Sequence, residues 1–200
     1  MPNPLNYTHD FKKVDFSKYK DSYTNELLEK FLSGTELSTE TVRGLMYGYT
    51  FTKKYANHED DEHFSISHWY KVIDKAERMQ FGEIDDDDTP LAIPDFDNLD
   101  EMEEDEYDEI IDRASDIADM IFYAIYSTGD GKTPETAFCI IDTYQEYEML
   151  HRLFGRDVRV TMQSLIHGNI DCIEFKSTFC GPEQDFKVYF DISRRFEVGY

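Results

Sequence analysis

Length, composition and charge already restrict what this chain can be. Its 200 residues fit one domain, and 40% hydrophobic residues with 15% aromatic residues suffice for a core. With 43 acidic and 20 basic residues, the net charge at pH 7 is −23, which repels nucleic-acid phosphates and anionic lipids. We expect a globular protein that binds neither, and its favoured partner is a basic protein. The alternative is that the acidity only keeps the protein soluble.

The cysteines and the first residues indicate a compartment. Cys139, Cys172 and Cys180 form no Cys-x-x-Cys pair, and their odd number argues against a disulfide framework. The opening residues, MPNPLNYTHD, contain no basic stretch followed by an apolar run, so no signal peptide is predicted. No apolar window is long enough to span a membrane. We therefore expect a cytoplasmic protein.

The first half of the chain has the periodicity of helices. We expect Asp21 or Ser22 to cap a first helix, Ser38 to begin a second, and Ser65 or Ser67 to begin a third. The predicted apolar faces and closing glycines are Tyr23, Leu27, Leu28, Phe31 and Gly34 for the first helix; Val42, Leu45, Met46 and Tyr49 for the second; and Trp69, Val72, Ile73, Ala76, Met79 and Gly82 for the third.

An acidic segment then interrupts the helical pattern. Between Glu83 and Asp112, 16 of 30 residues are acidic and none is basic, and two prolines break any helix. We expect an exposed, partly disordered loop through about Asn98. A long helix follows, because apolar residues recur three and four positions apart almost to Gly129. Its predicted apolar face consists of Tyr107, Ile110, Ile111, Ala114, Ile117, Ala118, Ile121, Phe122 and Ile125.

The second half changes to strands. A short apolar strand is expected over Ala137–Ile141, followed by a helix over Tyr144–Phe154 that stops at Gly155. Alternating residues over Val158–Ile166 predict a second strand, and Gly168-Asn169 predicts a two-residue turn. The last two strands are expected over Ile170–Lys176 and Phe186–Ile192.

These elements predict an α+β fold. N-terminal helical hairpins occupy residues 1–128, with an acidic insertion at about 83–109, and a C-terminal, mostly antiparallel sheet of about four strands occupies residues 129–200. We expect the two parts to form one compact unit.

The segment from Gly129 to Thr133 (GDGKT) ends like a phosphate-binding loop. The full motif needs a glycine where Tyr126 stands, with a strand before it and a helix after it, and here that order is inverted. We expect instead a helix end with Gly129 as a left-handed cap, followed by a turn into the sheet.

Two sets of residues resemble metal ligands without completing a site. Asp95 and Asp97, with Glu106 at the twelfth position, match half of a calcium loop, but Asp100 stands where that loop needs glycine. The second set consists of three histidines spaced five residues apart, His58, His63 and His68. On a helix this spacing turns each imidazole about 140° from the one before it, so the three do not share one face. We expect no metal and no cofactor.

No nucleophile motif is evident, and we predict no catalytic residue. The chain lacks a Gly-x-Ser-x-Gly elbow, and Cys139 and Cys172 lie within apolar strand patterns, where cysteine acts as a small hydrophobic residue. The sequence does not show whether the fold places His151 or His167, as a base, beside either cysteine.

Five segments carry a resemblance to a known family. In chain order they are Val42–Tyr49 (VRGLMYGY), Ser127–Phe138 (STGDGKTPETAF), Glu146–Leu150 (EYEML), Asp171–Phe175 (DCIEF) and Tyr189–Arg194 (YFDISR). With them the chain resembles, over most of its length, a bacterial family called domain of unknown function 4919.

The resemblance implies a helical front, similar to tetratricopeptide hairpins, joined to a C-terminal sheet. It implies no activity. Family members often carry an export leader, which is not predicted here, and the acidic segment replaces part of the family's middle helices.

Helical hairpins are common protein-binding scaffolds, and here they carry a large negative charge. Our first hypothesis is a non-catalytic module that binds a basic protein, such as an immunity or antitoxin-like protein that neutralises a toxin. The alternatives are an enzyme of unrecognised type, with a pocket between helices and sheet, and a structural or stress-related accessory protein.

The acidic residues that open the long helix are the candidate binding residues. We expect them to contribute the electrostatic part of partner binding, while the apolar side of the same helix faces the core. They are Asp100, Glu101, Glu103, Glu104, Asp105, Glu106, Asp108 and Glu109.

Overall fold

A computed structural model describes residues 13–57, 62–82 and 104–198. In this part of the chain, the helices lie mainly in the N-terminal half and a four-stranded sheet lies in the C-terminal half, which confirms the α+β prediction. The helices are α1 (Asn25–Leu32), α2 (Thr39–Tyr49), α3 (Lys53–Ala56), α4 (Ile66–Gln80), α5 (Glu104–Tyr126), α6 (Tyr144–Phe154) and α7 (Ser193–Val198), with 3-10 turns at Phe16–Tyr19, Glu62–Phe64 and Pro134–Thr136.

Hydroxyl side chains begin the first helices. The predicted Ser38 caps α2, and Ser65 caps α4, each accepting a backbone N–H at 3.1 Å. The prediction of Asp21 or Ser22 for α1 is wrong, because Thr24 is the cap. The backbone N–H of Ser22 instead donates to the 3-10 turn before it.

Helices α4 and α5 form the largest helical contact and run antiparallel. The side-chain amide of Gln80, at the end of α4, donates to Asp108, at the start of α5, over 3.0 Å. Tyr107 and Ile110 are buried as predicted, and Ile111 packs against the core. The loop expected through Asn98 and most of the acidic insertion lie outside the described residues. Its last part, from Glu104, is the beginning of α5.

The sheet follows with a mixed topology. Its strands are β1 (Phe138–Cys139), β2 (Arg159–Ile166), β3 (Ile170–Ser177) and β4 (Gln184–Asp191), in the order β1-β4-β3-β2. Strands β2, β3 and β4 are antiparallel neighbours, while β1 pairs with β4 in parallel.

Strand β1 is shorter than the predicted Ala137–Ile141, and side chains from the helices bind the backbone groups at and just after its end. The Tyr47 hydroxyl donates to the carbonyl of Cys139 over 3.0 Å, and the Tyr55 hydroxyl donates to that of Ile141 over 2.6 Å. The Gln145 side chain accepts the N–H of Ile141 at 2.9 Å. These bonds join the helices to the sheet where a longer strand ladder was expected.

Two turns differ from their predictions. The β2–β3 turn centres on His167 and Gly168, with φ of 52° and 80°, so the predicted Gly168-Asn169 centre is one residue too late. Gly129 is not in the left-handed region, and the prediction that it forms a left-handed cap is wrong. A Cβ there would lie 2.3 Å from the Thr136 carbonyl oxygen, so close backbone packing requires this glycine. The left-handed residue is Gly131, with φ of 67°.

No helix in the described residues is both long and apolar enough to cross a bilayer.

A buried carboxylate of α6 caps α4. The Glu148 side chain is almost fully buried and accepts three hydrogen bonds, from the Ser65 hydroxyl at 2.6 Å and from the backbone N–H of Ser67 and Ile66 at 2.8 and 3.1 Å. A negative charge at a helix N-terminus is stabilised by the helix dipole. The same interaction fixes α6, and with it the sheet, against α4.

Glu148→Ala is therefore expected to lower the free energy of unfolding by about 2–3 kcal/mol, because it leaves buried donors without an acceptor. Urea unfolding monitored by circular dichroism measures the loss. The control is Glu26→Ala, which removes an exposed acid of α1 and should change stability by less than about 0.5 kcal/mol. Equal effects from the two substitutions would contradict the capping role.

Candidate functional site

A cleft of about 490 Å³ lies between helices and sheet, where the enzyme hypothesis expects a pocket. The start of α6 forms one wall, strands β2 and β3 form the floor, and α7 closes the far side. Three partly exposed side chains, Tyr147, Leu165 and Phe196, line it. A volume of this size accommodates a small molecule or one side chain of a partner.

Two carboxyl groups face this cleft side by side. Glu146 of α6 is 0% exposed and Asp171 of β3 is 7% exposed. The Gln163 amide bridges them, donating to Glu146 Oε2 at 3.1 Å and to Asp171 Oδ2 at 2.7 Å. The Tyr147 hydroxyl in turn donates to Gln163 Oε1 at 2.8 Å, which fixes the orientation of the amide. The second oxygen of each carboxyl group is buried without a hydrogen-bond donor from the described residues.

The environment of this carboxyl pair favours a bound proton. Burial first, and then repulsion by the neighbouring Asp171 carboxylate, raise the pKa of Glu146 to about 8. Asp142, which also lines the cleft, forms an ion pair with Arg195 at 3.5 Å. At neutral pH Glu146 therefore favours its protonated form.

Glu146 and Asp171 are absent from the residues predicted from the sequence. The sequence does contain a signal for Glu146, because it shares its helical face with the buried Met149, Leu150 and Leu153, three, four and seven positions later. An acid on an apolar face is either paired or functional. Asp171 has no comparable signal, since β3 is buried over its first four residues and loses the alternation that would mark faces.

The predicted acidic residues form a second candidate site on α5. Asp105, Glu106, Asp108 and Glu109 are exposed, as expected for electrostatic binding residues. Asp108 also accepts the bond from Gln80. The remaining residues of the predicted set, Asp100, Glu101 and Glu103 and the side chain of Glu104, lie outside what the structure describes.

The exposed acids continue along α5 beyond the predicted set. Asp105, Glu109, Asp112 and Asp116 follow one another at spacings of four, three and four residues, so they share one face of the helix. We call these four residues the acidic row. The row leads to Tyr123, whose side chain is 53% exposed.

A groove of about 320 Å³ lies where the acidic row meets the segment between α1 and α2. Asp116, Asp119 and Tyr123 line it from α5, and Glu36 and Leu37 line it from the opposite side. Asp119 forms an ion pair with Arg152 of α6, whereas Asp116 and Glu36 have no ion-pair partner among the described residues. The groove therefore combines free carboxylates with one exposed aromatic ring.

The geometry of the two sites does not identify a protein family, but a comparison with protein families does. The family model described as "Domain of unknown function (DUF4919)" matches residues 13–198, which is nearly the whole chain. The chain belongs to this family. No curated protein and no solved structure matches it. The predicted resemblance is confirmed, and the family description assigns no activity to either site.

In this family member, backbone N–H groups of the GDGKT loop donate to acceptors of the loop itself and of Thr136 just after it. The N–H of Gly131 donates to the Thr136 carbonyl at 2.8 Å, that of Lys132 to Asp130 Oδ1 at 3.1 Å, and that of Thr133 to Thr136 Oγ1 at 3.3 Å. A phosphate-binding loop instead turns its free amides toward the ligand. The segment is a structural turn between α5 and β1.

The cysteines occupy core positions. Cys139 and Cys172 are buried in β1 and β3, as expected. Burial raises the pKa of the Cys139 thiol to about 12, so it is not a thiolate at neutral pH. His167 lines a separate cleft of about 490 Å³ that also reaches Cys139, whereas His151 is exposed on α6.

The metal-like sets stay incomplete in the described chain. His68 lies with Nδ1 3.1 Å from Glu62 Oε2, and burial lowers its pKa. Asp95, Asp97 and His58 lie outside the described residues. Within those residues, no three His, Cys, Asp or Glu side chains group as metal ligands.

The carboxyl pair predicts a pH dependence of stability. The pKa of Glu146 is about 8 in the folded chain against an ordinary 4.5, so the folded chain binds more protons between these values. Stability then falls as pH rises through this window. Raising the pH from 5 to 9 should lower the free energy of unfolding of the wild type by roughly 2–4 kcal/mol more than that of Glu146→Gln, whose amide mimics the protonated acid.

Urea unfolding of both chains at pH 5, 7 and 9 measures this difference. Asp116→Asn, which removes an exposed acid, is the control and should follow the wild type. A Glu146→Gln chain that loses stability with pH as steeply as the wild type would contradict the proton on Glu146.

Proposed function

We propose that this chain is a non-catalytic module that binds a basic protein, and that the partner docks on the acidic row of α5. The observation that carries the proposal is the row itself. Four exposed carboxylates on one helix face run toward a half-exposed tyrosine beside a groove. This arrangement offers charge over a length of α5 and an aromatic anchor at its end.

The net charge of −23 gives this surface its long-range effect. A field of one sign raises the rate at which an oppositely charged protein reaches the surface, while single rim charges add little to the final affinity. Asp112 and Asp116 have no ion-pair partner among the described residues, so binding a basic surface does not require breaking a pair of theirs. The acidic row should therefore act mainly on the association rate.

Tyr123 supplies the short-range part of the interaction. Large aromatic side chains contribute much of the binding energy at protein interfaces, because they bury a large area at a small entropy cost. The ring of Tyr123 lies against that of Phe122, with centroids 5.3 Å apart, so its position is partly fixed before the partner arrives. The groove beside it, with Leu37 and Met120, offers an apolar surface for a partner side chain.

A concrete form of this function is an immunity or antitoxin-like protein that neutralises a basic toxin in the cytoplasm. Small size and strong acidity suit this role, because a small acidic protein covers a basic active-site surface by charge complementarity.

The first test neutralises part of the acidic row. Glu109→Gln, Asp112→Asn and Asp116→Asn together should slow association with the basic partner about tenfold at low salt, and the difference should vanish at high salt. Partners are captured from the native host with the wild-type chain, and their association is measured by surface plasmon resonance. The control carries Glu135→Gln, Glu183→Gln and Asp185→Asn, which remove the same charge from the sheet half. Equal slowing by both triple variants, or an acidic partner, would refute docking on the row.

The second test removes the anchor. Tyr123→Ala should raise the dissociation rate of the same complex by tenfold or more and leave the association rate nearly unchanged. Because the side chain is half exposed, the free energy of unfolding should change by less than about 1 kcal/mol. Tyr147→Ala, at the other cleft, is the matched control. If dissociation is the same from the Tyr123→Ala chain as from the wild type, the anchor lies elsewhere.

A further inference from the structure

The cleft between α6, α7 and the sheet contains an arrangement that folding alone does not explain. Glu146 Oε1 and Asp171 Oδ1 are buried, and no donor in the described residues reaches either atom. A buried acceptor without a donor costs roughly 1–3 kcal/mol, and more when it is charged. Both residues nevertheless line the cleft, so the two vacant oxygens lie in its wall, directly behind its surface.

We propose that this cleft is a binding site for an organic nitrogen cation, an ammonium or guanidinium group, held between Glu146 and Asp171. The site shares no residue with the acidic row and does not rest on the function proposed for it. The cation would come from a free amine or from a lysine or arginine side chain of a protein, and the shared chemistry is a positive charge with N–H donors.

The donors of such a group match the vacant acceptors. Gln163 already satisfies one oxygen of each carboxyl group and leaves the other two for the ligand. An ammonium group has three N–H donors and a guanidinium group has five, so either can bond both oxygens at once. Charge-assisted bonds in a partly buried site are stronger than their counterparts in water.

The walls of the cleft suit the rest of the ligand. Tyr147, Leu165 and Phe196 are among the most exposed large hydrophobic side chains in the described chain, and all three line this cleft. Aromatic faces attract cations and apolar stems alike. An amine with a short alkyl chain is therefore expected to place its nitrogen on the carboxyl pair and its carbons against this rim.

Binding of the cation must release a proton. The other polar groups around the pair are Gln163 of β2, Tyr147 of α6 and Asp142 before α6, and Asp142 is paired with Arg195 at 3.5 Å. In the free protein at neutral pH, Glu146 holds a proton, because burial and the neighbouring Asp171 raise its pKa to about 8. The cation replaces this proton beside Glu146, and the proton leaves to solvent.

Calorimetric titration with n-butylammonium tests the proposal. At pH 7 we expect saturable binding at one site with release of about one proton, measured in two buffers of different ionisation enthalpy. At pH 9, above the pKa of about 8 for Glu146, release should disappear and binding should be about tenfold tighter. Binding to the acidic surface in general would show neither effect.

Variants separate the site from the rest of the charge. Glu146→Gln should fold normally, since the amide has the shape of the protonated acid, and should bind more weakly with no proton release at either pH. Asp74→Asn, which removes one exposed charge of α4 outside both sites, should behave like the wild type. Tetramethylammonium, which lacks N–H donors, should bind at least tenfold more weakly than n-butylammonium.

The source of the cation is determined by comparing the affinity of n-butylammonium with that of a second ligand, the peptide acetyl-Gly-Gly-Arg-Gly-Gly-amide. Proton release with either ligand supports the site. Tighter binding of the peptide assigns the cation to a protein side chain, and tighter binding of the amine assigns it to a free metabolite. If neither ligand saturates, if binding at pH 7 releases no proton, or if Glu146→Gln binds as tightly as the wild type, the proposal is wrong.

Discussion

The capping of α4 by the buried carboxylate of Glu148 is the interaction on which the rest of the structure depends. It places an ionisable group of α6 at the N-terminus of a helix far away in the sequence, where three donors satisfy it. Gln145, three residues before it, binds both the Phe64 carbonyl and the N–H of Ile141. Helix α6 thereby joins the helical part to the first strand through polar groups that the core fully encloses. The position of the cleft beside α6 follows from this attachment.

The same helix carries a second buried acid in the opposite situation. Glu148 meets three donors, whereas Glu146, two residues earlier and across the helix, meets one donor from Gln163 and a second carboxyl group. Burying that pair without a cation opposes folding, unless a proton bridges the two groups. Elsewhere in the described chain, the caps at Ser38 and Ser65 and the apolar face of α5 agree with the fold. A site where local physical consistency fails is where function is expected, because ligand binding supplies what the free protein lacks.

The sequence contains the elements but not the contacts between distant residues. Helices α5 and α6 were predictable because apolar residues repeat over many positions, and Tyr144–Phe154 agrees with its prediction at both ends. The length of β1 was not, because Tyr55, 86 residues away, and Gln145 bind the backbone of Ile141 just after the strand. The acids of α5 could be recognised by density, although only the helix phase shows which of them share a face with Tyr123. Asp171 needed the pairing of β2 with β3 to bring Gln163 over it.

Net charge alone does not select a partner, and the two sites differ in how they use it. Exposed carboxylates such as Asp112 act across solvent, where physiological salt screens them beyond about 8 Å. Glu146 and Asp171 are withdrawn from solvent, so salt screens them weakly and geometry decides which cation they accept. A basic protein that meets the acidic row is attracted by its overall charge. A ligand in the cleft must instead present a donor to each of two fixed oxygens, and it must be small enough to pass Tyr147 and Phe196. Specificity in this chain therefore belongs to its buried acids more than to its many exposed ones.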